Sequence, residues 1–258
     1  MVRNLVDSRE LIWQLFKRDL LASSQQSILG LLWIVIAPII GILSWVLMSQ
    51  AGVLQPGALS LPYPLYVLVG ATIWGFFMSF YSAAASSLTS AGGLLVQAKF
   101  AHEALVAQQL AQTLIAIMAN IVLLFAACAV FGSAFHWTAL LFPLTLVPLL
   151  LLGTGIGMVV SVLAVLVKDM TRVVTTLLGL TMFLTPVIYA PEVRSEWLQQ
   201  LVSWNPLTYL VGGARDLVLS GYVNHPTSYA YSVLLAIAAF LLAWRLFFVS
   251  EQRVAEKL

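Results

Sequence analysis

The sequence predicts an all-α fold: a polytopic membrane protein with six transmembrane helices, an amphipathic interface helix before the first span and a re-entrant hairpin between the fifth and sixth. Three observations predict it. Hydrophobic residues make up 61% of the 258 positions and charged residues 9%, with a mean hydropathy of +0.99. The apolar residues fall in long charge-free runs, and Lys and Arg gather on one side of them. A water-soluble domain of this length cannot carry so few charges and still cover its surface. The chain, 1–258, reads as a single transmembrane domain.

Residues 1–26 come first. Charges of both signs are spread along Met1 to Gln26, and no short apolar core followed by small residues occurs, so this segment is not expected to be a cleaved signal. On a helical wheel, Leu11, Ile12, Trp13, Leu15, Phe16 and Leu20 sweep about half the circumference, while Glu10, Gln14, Lys17 and Arg18 fill the other half. Asp19 is the misfit on the apolar side. Such a helix lies in the membrane interface, as an anchor for the first span or as a docking surface.

From Leu20 to Ala98 there is no Lys, Arg, Asp or Glu, enough for two spans of about 20 residues each. The turn between them is marked by Gln50, Gly52, Gln55, Pro56, Gly57, Ser60, Pro62 and Pro64. The first helix is thus predicted near Ile28 to Met48 and the second near Leu65 to Ser87. The next charge-free run, Ala104 to Val167, is divided at Phe131 to Trp137. It predicts a third helix over Leu105 to Val130 and a fourth over Leu140 to Val167.

Val173 to Tyr189 makes a shorter fifth span, closed by Pro186 and Pro191, and Tyr229 to Val249 makes the sixth. Between them, residues 192–228 are polar at the ends and broken by Pro206 and Gly212-Gly213, yet apolar from Trp197 to Ala214. That pattern fits a re-entrant or interfacial hairpin better than a crossing, because irregular backbone at membrane depth must be shielded by protein or water.

Orientation follows from the basic residues. With the N-terminus inside, Arg3, Arg9, Lys17, Arg18, Lys99, Lys168, Arg172, Arg245, Arg253 and Lys257 face the cytoplasm, which leaves only Arg194 and Arg215 of the 12 on the other side. No internal repeat is visible. An inverted repeat of the secondary-transporter kind pairs interrupted helices in both halves, and only the second half has one.

Several function classes drop out. The net charge is +2 and the basic residues form no face, so nucleic acid is not an expected partner. The lone cysteine, Cys128, sits in an apolar stretch and reads as a small buried hydrophobe. His102, His136 and His225 lie in predicted loops, far apart in sequence. There is no Gly-Xaa-Ser-Xaa-Gly, no His-Glu-Xaa-Xaa-His and no carboxylate inside a predicted span. An intramembrane enzyme lacks its reactive groups here, and an ion-coupled carrier lacks the ionisable residues that mark its path. A phosphate-binding Gly-Xaa4-Gly-Lys-Ser/Thr loop is also missing. Catalytic and metal-ligating residues are therefore expected to be none, and uphill transport requires a partner that hydrolyses nucleotide.

The charges that remain sit at two inner turns: Gly92 to Glu103, reading GGLLVQAKFAHE, and Lys168 to Arg172. On composition alone both are solvated turns obeying the positive-inside rule.

Five short motifs in order carry a resemblance. They are Ser27-Ile-Leu-Gly-Leu-Leu-Trp33 with Pro38; Pro62-Tyr-Pro-Leu-Tyr66 followed by Gly70 and Trp74; Val167-Lys-Asp-Met170; Leu184-Thr-Pro-Val-Ile-Tyr189; and Asn205-Pro-Leu-Thr-Tyr209 with Arg215-Asp216 and Gly221. Together with the hydropathy profile they resemble the six-helix permease subunits of type-2 ABC exporters, in the polysaccharide and teichoic-acid branch. The chain departs from that pattern in three places. Ser23-Ser24 stands where many relatives carry Arg-Tyr, Phe100-Ala-His-Glu103 replaces a frequent Phe-Pro-Arg-Glu, and Gly212 occupies a position often acidic.

The resemblance implies roles. The first inner turn becomes a coupling helix seated in an ATPase cleft, through Lys99, Phe100, His102 and Glu103, and the second turn adds Lys168, Asp169 and Arg172. The N-terminal helix is implied to rest on the same partner. The hairpin from Glu192 to Ser220 becomes a pair of outer gate helices, with Pro186, Tyr189, Asn205, Pro206, Tyr209, Arg215 and Asp216 as the gate residues. The implied assembly holds two copies of a separate nucleotide-binding ATPase and a second copy of this chain. ATP and Mg belong to the ATPase, and this chain carries no cofactor. The implied place is the bacterial cytoplasmic (inner) membrane, with both termini cytoplasmic and lipid around the spans.

The implied cargo is a lipid-linked polysaccharide of the O-antigen, capsule or teichoic-acid type. Aromatic rings suit a channel for sugars, since their faces pack on C–H groups while Tyr and Trp add hydrogen bonds. Trp33, Trp74, Phe76, Phe77, Phe80 and Tyr81 are candidates for that path, with Tyr189 and Tyr209 near the outer gate; the competing reading of each is interfacial belt or helix packing. Alternatives to this function are a permease of the same type for a drug or small lipid, an intramembrane lipid-modifying enzyme, and a non-transporting assembly protein.

Overall fold

Long apolar runs without backbone breakers become helices in lipid, because a helix satisfies its own N–H and C=O groups where no water can. The computed structural model describes residues 33–52, 62–91, 102–132, 136–192 and 195–255, and among these the regular elements are helices with no strand. In chain order they are α1 (Trp33–Gln50), α2 (Tyr63–Ala91), α3 (His102–Val130), α4 (Phe142–Leu166), α5 (Met170–Thr181), α6 (Glu196–Trp204), α7 (Pro206–Leu219) and α8 (Pro226–Ala255). A 3-10 turn, Trp137–Leu141, leads into α4, and another, Met182–Leu184, extends α5. The predicted interface helix, residues 1–26, lies outside the described residues.

Among the described residues, four helical stretches are long and apolar enough to cross a membrane: Tyr63–Thr89, Ala104–Val130, Trp137–Leu166 and Pro226–Ser250. They correspond to the second, third, fourth and sixth predicted spans. The first and fifth are represented by shorter apolar helices, Ile39–Gln50 and Met170–Leu184. The expected fifth helix, Val173 to Tyr189, needs correction at its end. Helical geometry stops at Leu184, and Thr185 is extended (φ −114°, ψ 130°). The cause is Pro186, whose ring disfavours the helical region for the residue before it. Fifteen residues at about 1.5 Å each give roughly 22 Å, less than the ~30 Å hydrocarbon core.

α2 is the axis of the bundle. Its membrane-length window is 61% buried, against 17% for α3 and 22% for α8, so α2 builds the core while α3 and α8 present apolar outer faces. Leu65, Val67, Val69, Ile73, Phe77 and Phe80 are all buried on it. α4 packs along α2 on one side and α8 on the other. The α2–α4 approach depends on small residues in α4. A Cβ added at Gly157 would lie 2.5 Å from the Tyr81 carbonyl oxygen, and one at Gly153 would lie 2.9 Å from that of Phe77. Four-residue spacing puts both glycines on one face, which lets two membrane helices come into backbone contact.

Connectivity sorts the ends of the bundle. The turn of Lys168 and Asp169 joins α4 to α5 at one end. At the opposite end stand the start of α2, the 3-10 turn at Trp137–Leu141, the segment 185–192 and the two short helices α6 and α7. Contacts between α7 and that 3-10 turn tie this end together.

Candidate functional site

The chain after α5 is irregular and buried: Thr185, Pro186, Val187, Ile188 and Ala190 are all shielded from solvent. Buried backbone outside a helix must find other hydrogen-bond partners. Two side chains supply them. Arg215 of α7 donates from Nη1 to the Pro186 carbonyl at 2.7 Å. The Tyr66 hydroxyl of α2 donates to the Tyr189 carbonyl at 2.9 Å and lies 3.3 Å from that of Pro186.

The same two residues meet each other, with the Arg215 guanidinium carbon 4.0 Å from the centroid of the Tyr66 ring. Arg215 is 5% exposed. Among the described residues no carboxylate forms a salt bridge with it, so the ring face and the carbonyl are its electrostatic support. Desolvation lowers the Arg215 pKa from the usual arginine value, opposed by Tyr66 and Asp216. Next to it, burial pushes the Asp216 carboxyl above its ordinary range, opposed by the Asn224 N–H and by Arg215. That N–H donates to Asp216 Oδ2 at 3.2 Å.

The junction of α6 and α7 is set by Asn205 and Pro206. Asn205 Oδ1 accepts from the Leu207 N–H at 3.0 Å, capping α7, and Pro206 occupies the first turn, where its missing N–H costs nothing. The Asn205 amide also donates to Thr185 Oγ1 at 2.9 Å and reaches the Leu184 carbonyl at 3.3 Å. One side chain thus starts α7 and pins the hairpin to the end of α5. Two tyrosines tie off neighbouring carbonyls: Tyr189 donates to Phe183 O and Tyr209 to Ser203 O, both at 2.9 Å.

α7 ends at Gly221, whose φ of +82° gives the left-handed turn that stops the helix. Its N–H donates to the Asp216 carbonyl at 3.1 Å, and its own carbonyl accepts from Thr138 Oγ1 at 2.8 Å. A Cβ there would lie 2.8 Å from His136 Cγ, so the hairpin seats directly on the turn before α4.

The structure therefore places Pro186, Tyr189, Asn205, Pro206, Tyr209, Arg215 and Asp216 at one end of the bundle, with Arg215 hydrogen-bonded to Pro186 and Tyr66 bridging Pro186 and Tyr189. They border, in part, a cavity of about 230 Å³ between α6, α7 and the start of α8. Tyr66 and Thr185 belong to the same end, and neither stood among the candidate site residues. The signal for Tyr66 was legible: a tyrosine inside an apolar span needs a partner for its hydroxyl.

The aromatic residues of α2 are placed differently. Trp74, Phe76, Phe77, Phe80 and Tyr81 are each 6% exposed or less, and Trp74 and Phe77 pack ring to ring at 5.3 Å. Within this protomer they act as helix packing. Phe76 also borders a second cavity, about 290 Å³, between α1, α2 and α3. Trp33 begins α1, and its side chain lies outside the described set.

Of the coupling candidates, Lys99 and Phe100 lie outside the described residues. His102 and Glu103 are the first two residues of α3, with side chains also outside the description. Lys168, Asp169 and Arg172 are exposed at the α4–α5 turn, at the end of the bundle away from the hairpin. Above that turn, the buried Tyr81 hydroxyl is 3.1 Å from Thr175 Oγ1 and 3.3 Å from the Thr171 carbonyl, joining α2 to α5. Among the described residues no group of three or more His, Cys, Asp or Glu is placed to hold a metal ion.

Sequence comparison agrees with this architecture. Residues 10–219 match the family model described as ABC-2 type transporter. The chain is 25% identical over 260 residues to an O-antigen export system permease protein RfbA of Myxococcus xanthus, covering 99% of this chain and 97% of that one. It is 21% identical to the RfbA of Klebsiella pneumoniae over 90% and 88% of the two chains. With a polysialic acid transport protein KpsM of Escherichia coli it shares 23% identity over 92% of each. With a family match over most of its length and four helices long enough to cross a bilayer, the chain is a multi-pass membrane protein that belongs to the ABC-2 type transporter family.

Proposed function

We propose that this chain is the permease subunit of an ATP-driven exporter that moves a lipid-linked polysaccharide of the O-antigen, capsule or teichoic-acid type across the bacterial cytoplasmic membrane. The observation that carries this reading is its alignment, over nearly whole lengths, with permeases named for O-antigen and polysialic acid transport. The chain is no enzyme by itself. Two copies of it enclose the path, two copies of a separate ATPase subunit bind ATP and Mg, and both termini lie in the cytoplasm.

Such a cargo sets a physical problem: a polar glycan cannot cross hydrocarbon, yet its lipid end prefers to remain there. The chain's own part is to seal, open and couple. Lys99, Phe100, His102 and Glu103, with Lys168, Asp169 and Arg172, meet the ATPase at the inner end. The α6–α7 hairpin closes the outer end. α5 runs between the two and has no buried residue of its own. It is tied to α2 by Tyr81 and through Asn205 to the start of α7, and Val174 and Leu178 pack against the core, so a shift of the Lys168–Arg172 turn reaches the α6–α7 region through this helix.

The test is reconstitution in proteoliposomes with the ATPase subunit. The expected result is no ATP hydrolysis by the purified chain alone, and glycan transport with substrate-stimulated hydrolysis by the complex. Hydrolysis by the lone chain, or transport of a drug or free lipid in place of the glycan, overturns the reading.

A further inference from the structure

Two cavities border membrane-embedded helices, and their polar groups are committed differently. Around the one between α1, α2 and α3, Thr72, Ser79, Thr113 and Asn120 each donate to the carbonyl four residues earlier on their own helix. Those groups satisfy themselves. Around the hairpin cavity they do not. Arg215, 5% exposed, donates to the Pro186 carbonyl and engages Tyr66, which does not use all five N–H groups of its guanidinium, and its Nη2 stands 4.0 Å from a Cβ built at Gly212 on the cavity wall. Asp216 accepts from the Asn224 N–H at 3.2 Å and also meets the Asn224 side chain. Thr208, 8% exposed, borders the same cavity, and its Oγ1 has no partner.

We propose that this cavity is a saccharide subsite that holds one sugar ring; the proposal rests on the polysaccharide-export reading above. A sugar hydroxyl donates and accepts at once, so it suits a chamber that offers the remaining N–H groups of a buried guanidinium and an unpartnered threonine hydroxyl beside a carboxylate. The Tyr209 ring forms part of the wall and offers a face to sugar C–H groups. An acyl chain in the same space leaves Arg215, Asp216 and Thr208 desolvated without partners. A phosphate dianion meets the Asp216 carboxylate, and like charges at such range repel. The volume of about 230 Å³ has room for one ring. Its place at the end of the bundle opposite Lys168 puts it where an emerging polymer leaves the protein.

Gly212 provides the handle for a test. It borders the cavity, and a Cβ added there meets nothing nearer than Arg215 Nη2 at 4.0 Å, so a side chain at this position enters open space. In a Cys128→Ala background, Gly212→Cys in lipid nanodiscs is alkylated with N-ethylmaleimide, with methyl glucopyranoside, inorganic phosphate or hexanol as competitor. The expected result is that the glycoside slows labelling about tenfold, and that Asp216→Asn abolishes this protection. Protection by phosphate or hexanol in place of the glycoside overturns the proposal, as does protection by none. In the complex with its ATPase, Gly212→Phe is expected to assemble normally and to lower glycan export about tenfold; export at the unsubstituted rate also overturns the subsite. A complex that exports no glycan although the glycoside protects Cys at 212 instead refutes the export reading and leaves a saccharide site.

Discussion

Arg215 stands with its guanidinium carbon 4.0 Å from the centre of the Tyr66 ring, and the two side chains share the Pro186 carbonyl. This pair fixes α7 to α2 through an irregular segment with no helical hydrogen bonds of its own. The two residues act by different means, so substitutions separate them. Tyr66→Phe keeps the ring under the cation and removes only the hydroxyl bonds, an expected loss of about 1 kcal/mol. Arg215→Met removes the charge over the ring and the shorter bond to the buried Pro186 carbonyl, leaving it only the Tyr66 hydroxyl at 3.3 Å, a loss of roughly 1–3 kcal/mol. Arg215→Lys is not expected to restore it, because an ammonium cannot spread over the ring and reach the carbonyl as a planar guanidinium does. Thermal unfolding of the detergent-solubilised chain ranks the three; equal midpoints for Tyr66→Phe and Arg215→Met contradict this division.

Asn205 has two separable jobs. Asn205→Asp keeps the oxygen that caps α7 and loses the amide that donates to Thr185 Oγ1. Asn205→Ala loses both, with about 1 kcal/mol from the cap alone. Hydrogen exchange over residues 206–210 is expected to rise in the alanine variant only. Exchange near Thr185 is expected to rise in both. If the aspartate variant leaves residues 185–190 as protected as before, the link to α5 is not what holds that segment.

How much of this was readable beforehand follows from what each feature depends on. The second, third, fourth and sixth spans emerged from charge-free runs, since length and hydropathy are local properties. The end of α5 was misjudged by several residues because Pro186 acts one position upstream of itself. Residues 192–228 read as a hairpin from Pro206 and the flanking polarity, and α6 and α7 occupy that region. The Arg215–Tyr66 pair was not readable, because its two members lie 149 positions apart (215 − 66) and nothing local in either segment points to the other. For the α2 aromatics the residue types were readable but their facing was not, because which side of α2 is turned inward depends on α4, and Gly153 and Gly157 draw that helix against it.

The glycines of α4 make a packing prediction. Gly157→Ala places a methyl 2.5 Å from the Tyr81 carbonyl oxygen and 2.6 Å from Ala84 Cβ, and a backbone atom cannot rotate away. A loss of roughly 1–3 kcal/mol is expected from overpacking. Gly75→Ala, on α2, meets nothing within 4 Å, and is expected to be neutral or to gain up to ~1 kcal/mol from helix propensity. Melting temperatures in one detergent compare the two; a Gly157→Ala protein as stable as Gly75→Ala removes the close α2–α4 approach as the reason for the glycine.

The last prediction concerns α5 as the connection between the ends. Tyr81 is fully buried, and its hydroxyl reaches Thr175 and Thr171 across the gap between α2 and α5. Tyr81→Phe preserves the packed ring and cuts that tie, so stability should fall by no more than about 1 kcal/mol. The larger effect is expected in coupling. With the hydroxyl tie cut and only the packing of Val174 and Leu178 left between α5 and α2, movement of the turn is passed on less completely to the α6–α7 region. Reconstituted with its ATPase, the variant should hydrolyse ATP at the basal rate while transport per ATP falls. Thr175→Val should act in the same direction, since it removes the other half of the contact. If both variants transport as much per ATP as the unsubstituted chain, α5 is not the element that carries the signal, and the coupling must run through the packed α2–α4 pair instead.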